Sequence, residues 1–365
     1  MKKLMYIFAA GTTLLAACQP GNTYKVTGTI EGLNDGDTVY IQKVQEMKLV
    51  PTDTAIITNG QFEFTGTADS TELRYVTYIN NGRPNGTNFF LEKGNINVTM
   101  SKNGKKEVKG TPSNETWSEY SAQMDSMYTE MREIYGTLMD TTLTEEGRKA
   151  KIDLLNSKEK ASMDYTIEVI KTNIDNPVGI FLLSQNYSNM EPETLDTVIN
   201  MVPAKYQGDQ AIVNIKKELD AAKKTAVGQK FTDFEMQTPE GKTVKLSDYI
   251  SKNKVTLLDF WASWCGPCRA EMPNVVKAYK EYGKKGFGIV GVSLDNNAEA
   301  WKKAIKELDI TWPQMSDLKG WACEGAQLYA VRGIPATFMI NQEGIIVAKD
   351  VRGKEITNKL DELLK

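Results

Sequence analysis

The stretch WASWCGPC, residues 261–268, places Cys265 and Cys268 three positions apart. It follows VTLLDF, an apolar run of buried-strand length, and precedes a helical pattern that extends to about residue 282. Cys265 is therefore expected at a helix N-terminus, where unpaired N–H groups and the helix dipole stabilise a thiolate. Cys268 comes one turn later, so the two sulfurs can close a small reversible ring. The spacing predicts a redox pair in which Cys265 attacks a substrate disulfide and Cys268 resolves the mixed disulfide.

Two other uses of a cysteine pair have to be weighed. The chain has 365 residues, four cysteines and no histidine. Tetrahedral zinc needs four Cys or His ligands, and Cys323 is the one soft ligand left if Cys18 carries lipid. Haem attachment needs a histidine after the second cysteine, where Arg269 stands. A structural disulfide would close a loop too short to constrain the unfolded chain strongly. We therefore expect no metal and no cofactor, and we expect Cys323 to be a small buried hydrophobic residue.

The N-terminus is typical of a targeting segment. Its first 18 residues read MKKLMYIFAAGTTLLAAC, with two lysines before an apolar stretch that is too short to span a bilayer permanently. The ending LAAC resembles the lipobox of bacterial lipoproteins, which predicts a signal peptide over 1–17, a lipidated Cys18 and a tether over 18–23. A plain signal peptide with an accidental cysteine is the alternative. We expect a lipid-anchored protein of the cell envelope that faces the periplasm, and Gln19 slightly favours the outer membrane.

The charge balance excludes one class of partner. The chain has 44 Lys and Arg against 47 Asp and Glu, a formal net charge of −3. A nucleic-acid-binding protein needs a basic face for the phosphates. We therefore expect no nucleic-acid partner.

The pattern along the chain predicts three regions. Residues 24–112 contain short runs of β-formers between turn dipeptides, which indicates a small β-sandwich-like domain. Asn59-Gly60 is a two-residue hairpin signal between two such runs. Residues 113–226 have helical periodicity, with a first helix that starts near a Ser113 cap. Residues 227–365 alternate strands with helices, including one over 321–330, and end with a hairpin and a helix, which predicts an α/β domain.

The first predicted helix has an apolar stripe that repeats every three or four residues over three heptads. It comprises Trp117, Tyr120, Met124, Met127, Met131, Ile134 and Leu138. A dimerising coiled coil and a protein-binding groove are possible uses of such a stripe. Three heptads are marginal for a free coiled coil, so packing within the chain is the favoured interpretation.

LLDFWASWCGPCRAEMP, followed some seventy residues later by GIPATFMI, resembles the thioredoxin superfamily. More narrowly, these motifs resemble the membrane-anchored TlpA/ResA-like thiol–disulfide oxidoreductases. The resemblance covers roughly residues 228–365 and implies a thioredoxin-like α/β fold. The upstream β module is similar to those often found ahead of such domains in lipoproteins.

The resemblance also implies roles for individual residues. Asp259 occupies the position of a buried carboxylate whose raised pKa would let it exchange a proton with Cys268. Glu271, one turn after Cys268, would tune the thiols. The predicted substrate-binding set is Trp264, Gly266, Pro267, Ile334 and Pro335. The Ile334-Pro335 bond matches a cis-proline loop whose backbone pairs with an extended substrate. Ala336 replaces the usual Thr, and Trp261 is either part of the site cover or plain packing.

These residues predict a thiol–disulfide oxidoreductase that works mainly as a reductase of protein disulfides, because Gly-Pro resembles the dipeptide of strongly reducing thioredoxins. In an oxidising compartment it would need a membrane electron donor. One alternative is a peroxiredoxin-like reductase of peroxides, although Ala262 replaces the Thr of the Thr-Xaa-Xaa-Cys signature. The other is a binding lipoprotein whose N-terminal module recruits a partner and whose redox activity is secondary.

Overall fold

The computed structural model describes residues 21–46, 48–80 and 82–365. The predicted signal peptide, Cys18 and residues 19–20 of the tether lie outside the described residues. The chain divides into two compact units, the first ending at Leu183 and the second beginning at Ser184. This division falls inside the predicted helical region, and the predicted domain boundaries stay predictions.

The first unit begins with eight strands in two sheets. The strands are β1 (Thr23–Ile30), β2 (Thr38–Gln45), β3 (Lys48–Ile56), β4 (Phe62–Thr67), β5 (Glu72–Asn80), β6 (Arg83–Leu91), β7 (Gly94–Met100) and β8 (Lys106–Lys109). Their order is β4-β1-β7-β8 in one sheet and β3-β2-β5-β6 in the other. Val26 and Val98 of the first sheet share one buried core with Val39 and Phe89 of the second. The alternation of β-formers thus buries one face of each sheet, as expected for a sandwich.

The two-residue turn predicted at Asn59-Gly60 is present, but the hairpin that it closes extends no further than Thr58 and Gln61. Both residues have positive φ, 52° and 73°, and Thr58 pairs with Gln61 across the turn. The flanking strands then diverge, because β3 pairs with β2 and β4 pairs with β1. The dipeptide specifies the local backbone, whereas the burial of side chains from both strands decides which sheet each strand joins.

Five helices follow, α1 (Pro112–Leu138), α2 (Glu145–Thr172), α3 (Pro177–Asn186), α4 (Pro192–Met201) and α5 (Gln210–Lys224). The first begins earlier than predicted, with Thr111 as N-cap and Pro112 in the first turn, where its fixed φ suits the helix. Ser113 is already helical and donates to Glu92. The apolar stripe packs within the chain, since Tyr120 stacks on Tyr165 of α2 at 5.9 Å.

The second unit ends in an α/β domain. Its elements are β9 (Glu235–Gln237), β10 (Thr243–Lys245), α6 (Ser247–Ile250), β11 (Val255–Trp261), α7 (Gly266–Tyr282), β12 (Phe287–Ser293), α8 (Ala298–Glu307), β13 (Gln314–Met315), α9 (Glu324–Leu328), β14 (Ala336–Asn341), β15 (Ile346–Lys349) and α10 (Lys354–Leu363). The main sheet has the order β13-β12-β11-β14-β15. All residues of β11 and β12 are buried, which matches their continuous apolar sequences.

The helix predicted over residues 321–330 is divided in the structure. A 3-10 helix, Gly320–Ala322, precedes α9, and Cys323 between them has the extended ψ of 124°. The extended backbone at Cys323 divides the predicted helix, and α9 ends at Leu328, shortly before Ala330, a residue with positive φ. No helix in the part of the chain that the structure describes is long and apolar enough to cross a membrane.

Candidate active site

The redox pair lies where β11 gives way to α7. Cys265 is the N-cap of α7, with extended backbone angles, and its Sγ accepts a hydrogen bond from the Cys268 N–H at 3.1 Å. The two cysteines form a disulfide whose Cα atoms are 5.3 Å apart. Gly266 and Pro267 between them are exposed, and Pro267 lies in the first turn, where no N–H is needed. The predicted placement of a sulfur at a helix N-terminus is therefore observed.

Both cysteines of the pair are buried. The expected attacking residue is 5% exposed and Cys268 is 2% exposed. Two neighbours enclose the Cys265 Sγ: the Cys268 amide and the carbonyl oxygen of Ile334, at 3.6 Å. The backbone of Ile334 therefore borders the sulfur of Cys265.

Asp259 lies in the middle of the buried strand β11 and is 3% exposed. Its flanking partners on β12 and β14 are Gly291 and Thr337, which carry no charge. Burial, with a smaller contribution from the negative Glu271, raises the pKa of Asp259 to about 7, and the positive charge of Arg352 opposes that rise. The expected burial and pKa shift are present, and the proton-transfer role stays a prediction.

Both carboxylate oxygens of Glu271 are hydrogen-bonded. One carboxylate oxygen accepts the Gly353 N–H at 2.6 Å and the other accepts Asn274 Nδ2 at 3.0 Å. This glutamate therefore ties α7 to the loop before α10 and acts on Asp259 through its charge. Its predicted tuning of the thiols stays a prediction.

The Ile334-Pro335 bond is cis, and Ile334 lies beside the sulfur of Cys265. The carbonyl oxygen of Pro335 accepts a hydrogen bond from Arg352 Nη2 at 2.6 Å. Ala336, which replaces the usual Thr, is a buried first residue of β14. The structure thus brings the loop, the redox helix and the residues before α10 together at one end of the sheet.

The two tryptophans of the motif have different roles. Trp264 is 53% exposed, and its ring centroid lies 6.2 Å from that of Trp321, which is 51% exposed. Trp261 is fully buried and donates its indole N–H to Gln314 at 2.9 Å. The suggestion that Trp261 covers the site is wrong, and it is packing. Trp264 remains available for an apolar contact with a substrate.

Sequence reasoning missed Asp295 and three other residues around the site, Trp321, Arg332 and Arg352. Asp295 is 1% exposed and accepts hydrogen bonds from the Ser263 N–H at 2.9 Å and the Ser263 hydroxyl at 2.5 Å. It thereby fixes the turn that leads to Cys265. The sequence could have indicated Asp295, because this residue follows β12, the parallel neighbour of β11. The carboxyl ends of parallel strands lie at the same edge of a sheet.

Cys323 is fully buried in the same core, and burial raises the pKa of its thiol to about 11. It therefore stays a protonated small hydrophobic residue at neutral pH. Among the described residues, no group of three or more His, Cys, Asp or Glu side chains could hold a metal ion.

Two family models match parts of the chain. Residues 227–349 match the AhpC/TSA family, and residues 24–117 match a domain of unknown function, DUF4369. The first match contains every residue of the candidate site named above except Arg352 and Gly353.

Individual relatives match the same C-terminal part. Thiol-disulfide oxidoreductase ResA of Bacillus thuringiensis subsp. konkukian is 32% identical over 142 residues, which is 39% of this chain and 79% of that relative. Thioredoxin-like protein YneN of Bacillus subtilis is 36% identical over 143 residues, 37% of this chain and 78% of that protein. A crystal structure of the thioredoxin domain of a Bacteroides vulgatus thiol-disulfide oxidoreductase is 35% identical and covers 38% of this chain and 99% of its own, with a TM-score of 0.36.

Proposed function

Since the chain belongs, through its thioredoxin-like C-terminal domain, to the ResA family of thiol–disulfide oxidoreductases, we propose that it reduces the disulfides of protein substrates through Cys265 and Cys268. The predicted fold class and enzyme class are confirmed by these relationships. The observation that carries the proposed mechanism is the Cys265 sulfur at the N-terminus of α7, with a backbone N–H directed at it.

The reduced enzyme would begin with Cys265 as a thiolate, stabilised by that N–H and by the helix dipole. Its attack forms a bond to one substrate sulfur and releases the other substrate sulfur as a thiolate, which takes a proton from solvent. Cys268 then loses its proton to ionised Asp259 and attacks Cys265 Sγ. The second substrate sulfur leaves as a thiolate and takes a proton from solvent, Asp259 returns its proton to solvent, and two electrons have passed from the pair to the substrate. The enzyme ends in the disulfide form that the structure contains.

The proposal also includes the direction of electron transfer and the compartment in which the enzyme works. Gly266-Pro267 between the cysteines favours a reductase, and the lipobox-like sequence favours a lipid on Cys18 and a site facing the periplasm. An oxidising compartment does not keep such a pair reduced, so an electron donor in the membrane has to reduce the pair after each turnover.

The test is reduction of insulin disulfides by the mature chain with dithiothreitol as electron source. We expect Cys265→Ser to lower the rate by about 10³-fold or more, since it removes the nucleophile. Cys268→Ser should accumulate a mixed disulfide between Cys265 and the substrate, visible by mass. The matched control is Cys323→Ser, which we expect to keep the wild-type rate. Turnover by Cys265→Ser at the wild-type rate would refute the proposal.

Peroxide reduction is a second candidate because the family model that matches residues 227–349 is AhpC/TSA. Ala262 is fully buried at the position of the signature threonine, so no hydroxyl is available there to bind peroxide. We expect hydrogen peroxide to be consumed far more slowly than insulin disulfides under the same conditions. The opposite order would favour the peroxidase.

A further inference from the structure

Arg332, two residues before Ile334, is held by residues from the helical region. Its Nε is paired with the carboxylate of Glu218 on α5. Its Nη1 donates to the carbonyl oxygens of Tyr187 at 3.3 Å and Ser188 at 3.1 Å. The guanidinium carbon lies 5.1 Å from the ring centroid of Tyr187, whose hydroxyl donates to Glu218 at 3.0 Å. We call Arg332, Glu218 and Tyr187 the Arg332 cluster.

The Arg332 cluster is more than a surface ion pair. The side chains of Arg332 and Glu218 are 25% and 24% exposed. Exposed pairs contribute little because water screens both charges. Here the guanidinium is largely shielded, hydrogen-bonded on two nitrogens and in contact with an aromatic face, which are the features that fix an arginine in one geometry.

Two members of the cluster come from outside the family domain. Tyr187 follows α3 and Glu218 lies on α5, whereas the AhpC/TSA match begins at residue 227. The helix α5 also contacts α9, so the attachment has a second point. All of these residues belong to the unit that begins at Ser184.

The segment 332–335 is thus held at both ends. Arg332 is fixed by the helical region, and the Pro335 carbonyl is fixed by Arg352 at 2.6 Å. Between these two points lies Ile334, whose carbonyl oxygen is 3.6 Å from Cys265 Sγ. The same backbone that borders the sulfur is therefore the one tied to α5.

We propose that Arg332 is a positioning residue, and that Tyr187 and Glu218 of the helical region hold the Ile334 backbone where an extended polypeptide can pair with it beside Cys265. The inference rests on the proposed disulfide reductase function. It gives the helical region an indirect part in binding polypeptide disulfides, because backbone pairing needs a fixed edge. A small disulfide needs the sulfur alone.

The experiment therefore compares two substrates in the full mature chain. The first is insulin, and the second is 5,5′-dithiobis(2-nitrobenzoate), a small disulfide without a peptide backbone. We expect Arg332→Met to raise KM for insulin by about tenfold, equivalent to about 1.4 kcal/mol of binding, with kcat nearly unchanged. The rate with the small disulfide should stay within about twofold of wild type.

Two further variants separate positioning from general damage. Reversing the pair, with Arg332→Glu and Glu218→Arg together, should recover part of the KM that either single change loses. The matched control is Lys223→Met, which removes a salt bridge to Asp196 from the same helix, where both partners are substantially exposed. We expect that control to leave both substrates unaffected.

Equal losses on both substrates would contradict the inference, since they would indicate damage to the redox pair itself. An unchanged KM for insulin would contradict it as well. If Arg332→Met fails to fold, Glu218→Gln, which removes one charge and keeps the shape, carries the same comparison. A wild-type chain that reduces the small disulfide but not insulin would instead refute the proposed function.

Discussion

The β-sandwich of the first unit and the α/β domain of the second differ most in the polar groups that they bury. In the described part of the sandwich, the buried core is built from residues such as Val26, Val39 and Phe89, and Thr77 is its one buried polar side chain. The α/β domain buries two carboxylates, Asp259 within β11, the strand that leads to the redox pair, and Asp295 just after the neighbouring strand β12. Burying a charge is costly unless something compensates for it, so this difference marks where the chemistry lies.

The largest effect on stability should come from the apolar core of the sandwich. Phe89 is fully buried, and Phe89→Ala leaves a cavity that should lower the free energy of unfolding by about 3–5 kcal/mol. Urea denaturation measures this loss. The control is Ile79→Ala in the same unit, where the side chain is 57% exposed and we expect little change. We expect both variants to reduce disulfides at the wild-type rate. A loss of turnover in folded Phe89→Ala would contradict the assignment of the chemistry to the α/β domain alone.

The buried Asp259 should make the stability of the oxidised protein depend on pH. Its pKa is about 7 in the folded state against about 3.9 in an unfolded chain, so between these values the folded state holds a proton that the unfolded state has lost. The stabilisation is fully present below about pH 4 and is lost as the pH rises through about 7, by up to about 4 kcal/mol.

Asp259→Asn should remove this part of the pH dependence and make the oxidised protein more stable than wild type at pH 8. Denaturation at pH 4.5 and pH 8 provides the measurement. An unchanged pH dependence in the variant would show that Asp259 is not the group responsible.

The same substitution should also slow turnover, by about 10²-fold, because an amide cannot accept the proton of Cys268. In the wild type the resolving step should become faster as the pH rises through about 7, since Asp259 must be ionised to accept that proton. Rapid-mixing kinetics of mixed-disulfide resolution over pH 5.5–8.5 tests this. A variant that retained the wild-type rise would contradict the role of Asp259.

The smallest effect should come from the exposed indoles. Removing Trp321, which lies against Trp264, should raise KM for insulin by about threefold through lost apolar contact and leave kcat unchanged. Met201→Ala, an exposed apolar residue on α4, provides the control. If both substitutions changed KM equally, the pair of indoles would have no specific part in substrate binding.

Short sequence patterns predicted the residues of the redox pair better than they predicted the tertiary contacts around it. The cysteine spacing, the apolar strand around Asp259 and the helix that follows are all readable within some twenty residues, because each depends on nearby sequence. The break at Cys323 in the helix predicted over 321–330 was not predictable, because side-chain periodicity does not reveal an extended backbone at a single residue.

Long-range contacts explain what the sequence could not predict. Glu218 and Arg332 are 114 residues apart, and nothing local to either indicates that they meet. The turn at Asn59-Gly60 illustrates the same point. Its dihedral angles were predictable, whereas the sheet that each flanking strand joins was not. Only the packing of distant elements decides such pairings.

The central claim is that Cys265 and Cys268 form a reducing dithiol. Equilibrating the mature chain with defined ratios of oxidised and reduced dithiothreitol or glutathione, and quantifying the free thiols of the pair, measures its reduction potential directly. The account predicts a value near that of thioredoxin, about −270 mV, whereas a value near about −120 mV, that of a strong oxidant, would contradict it.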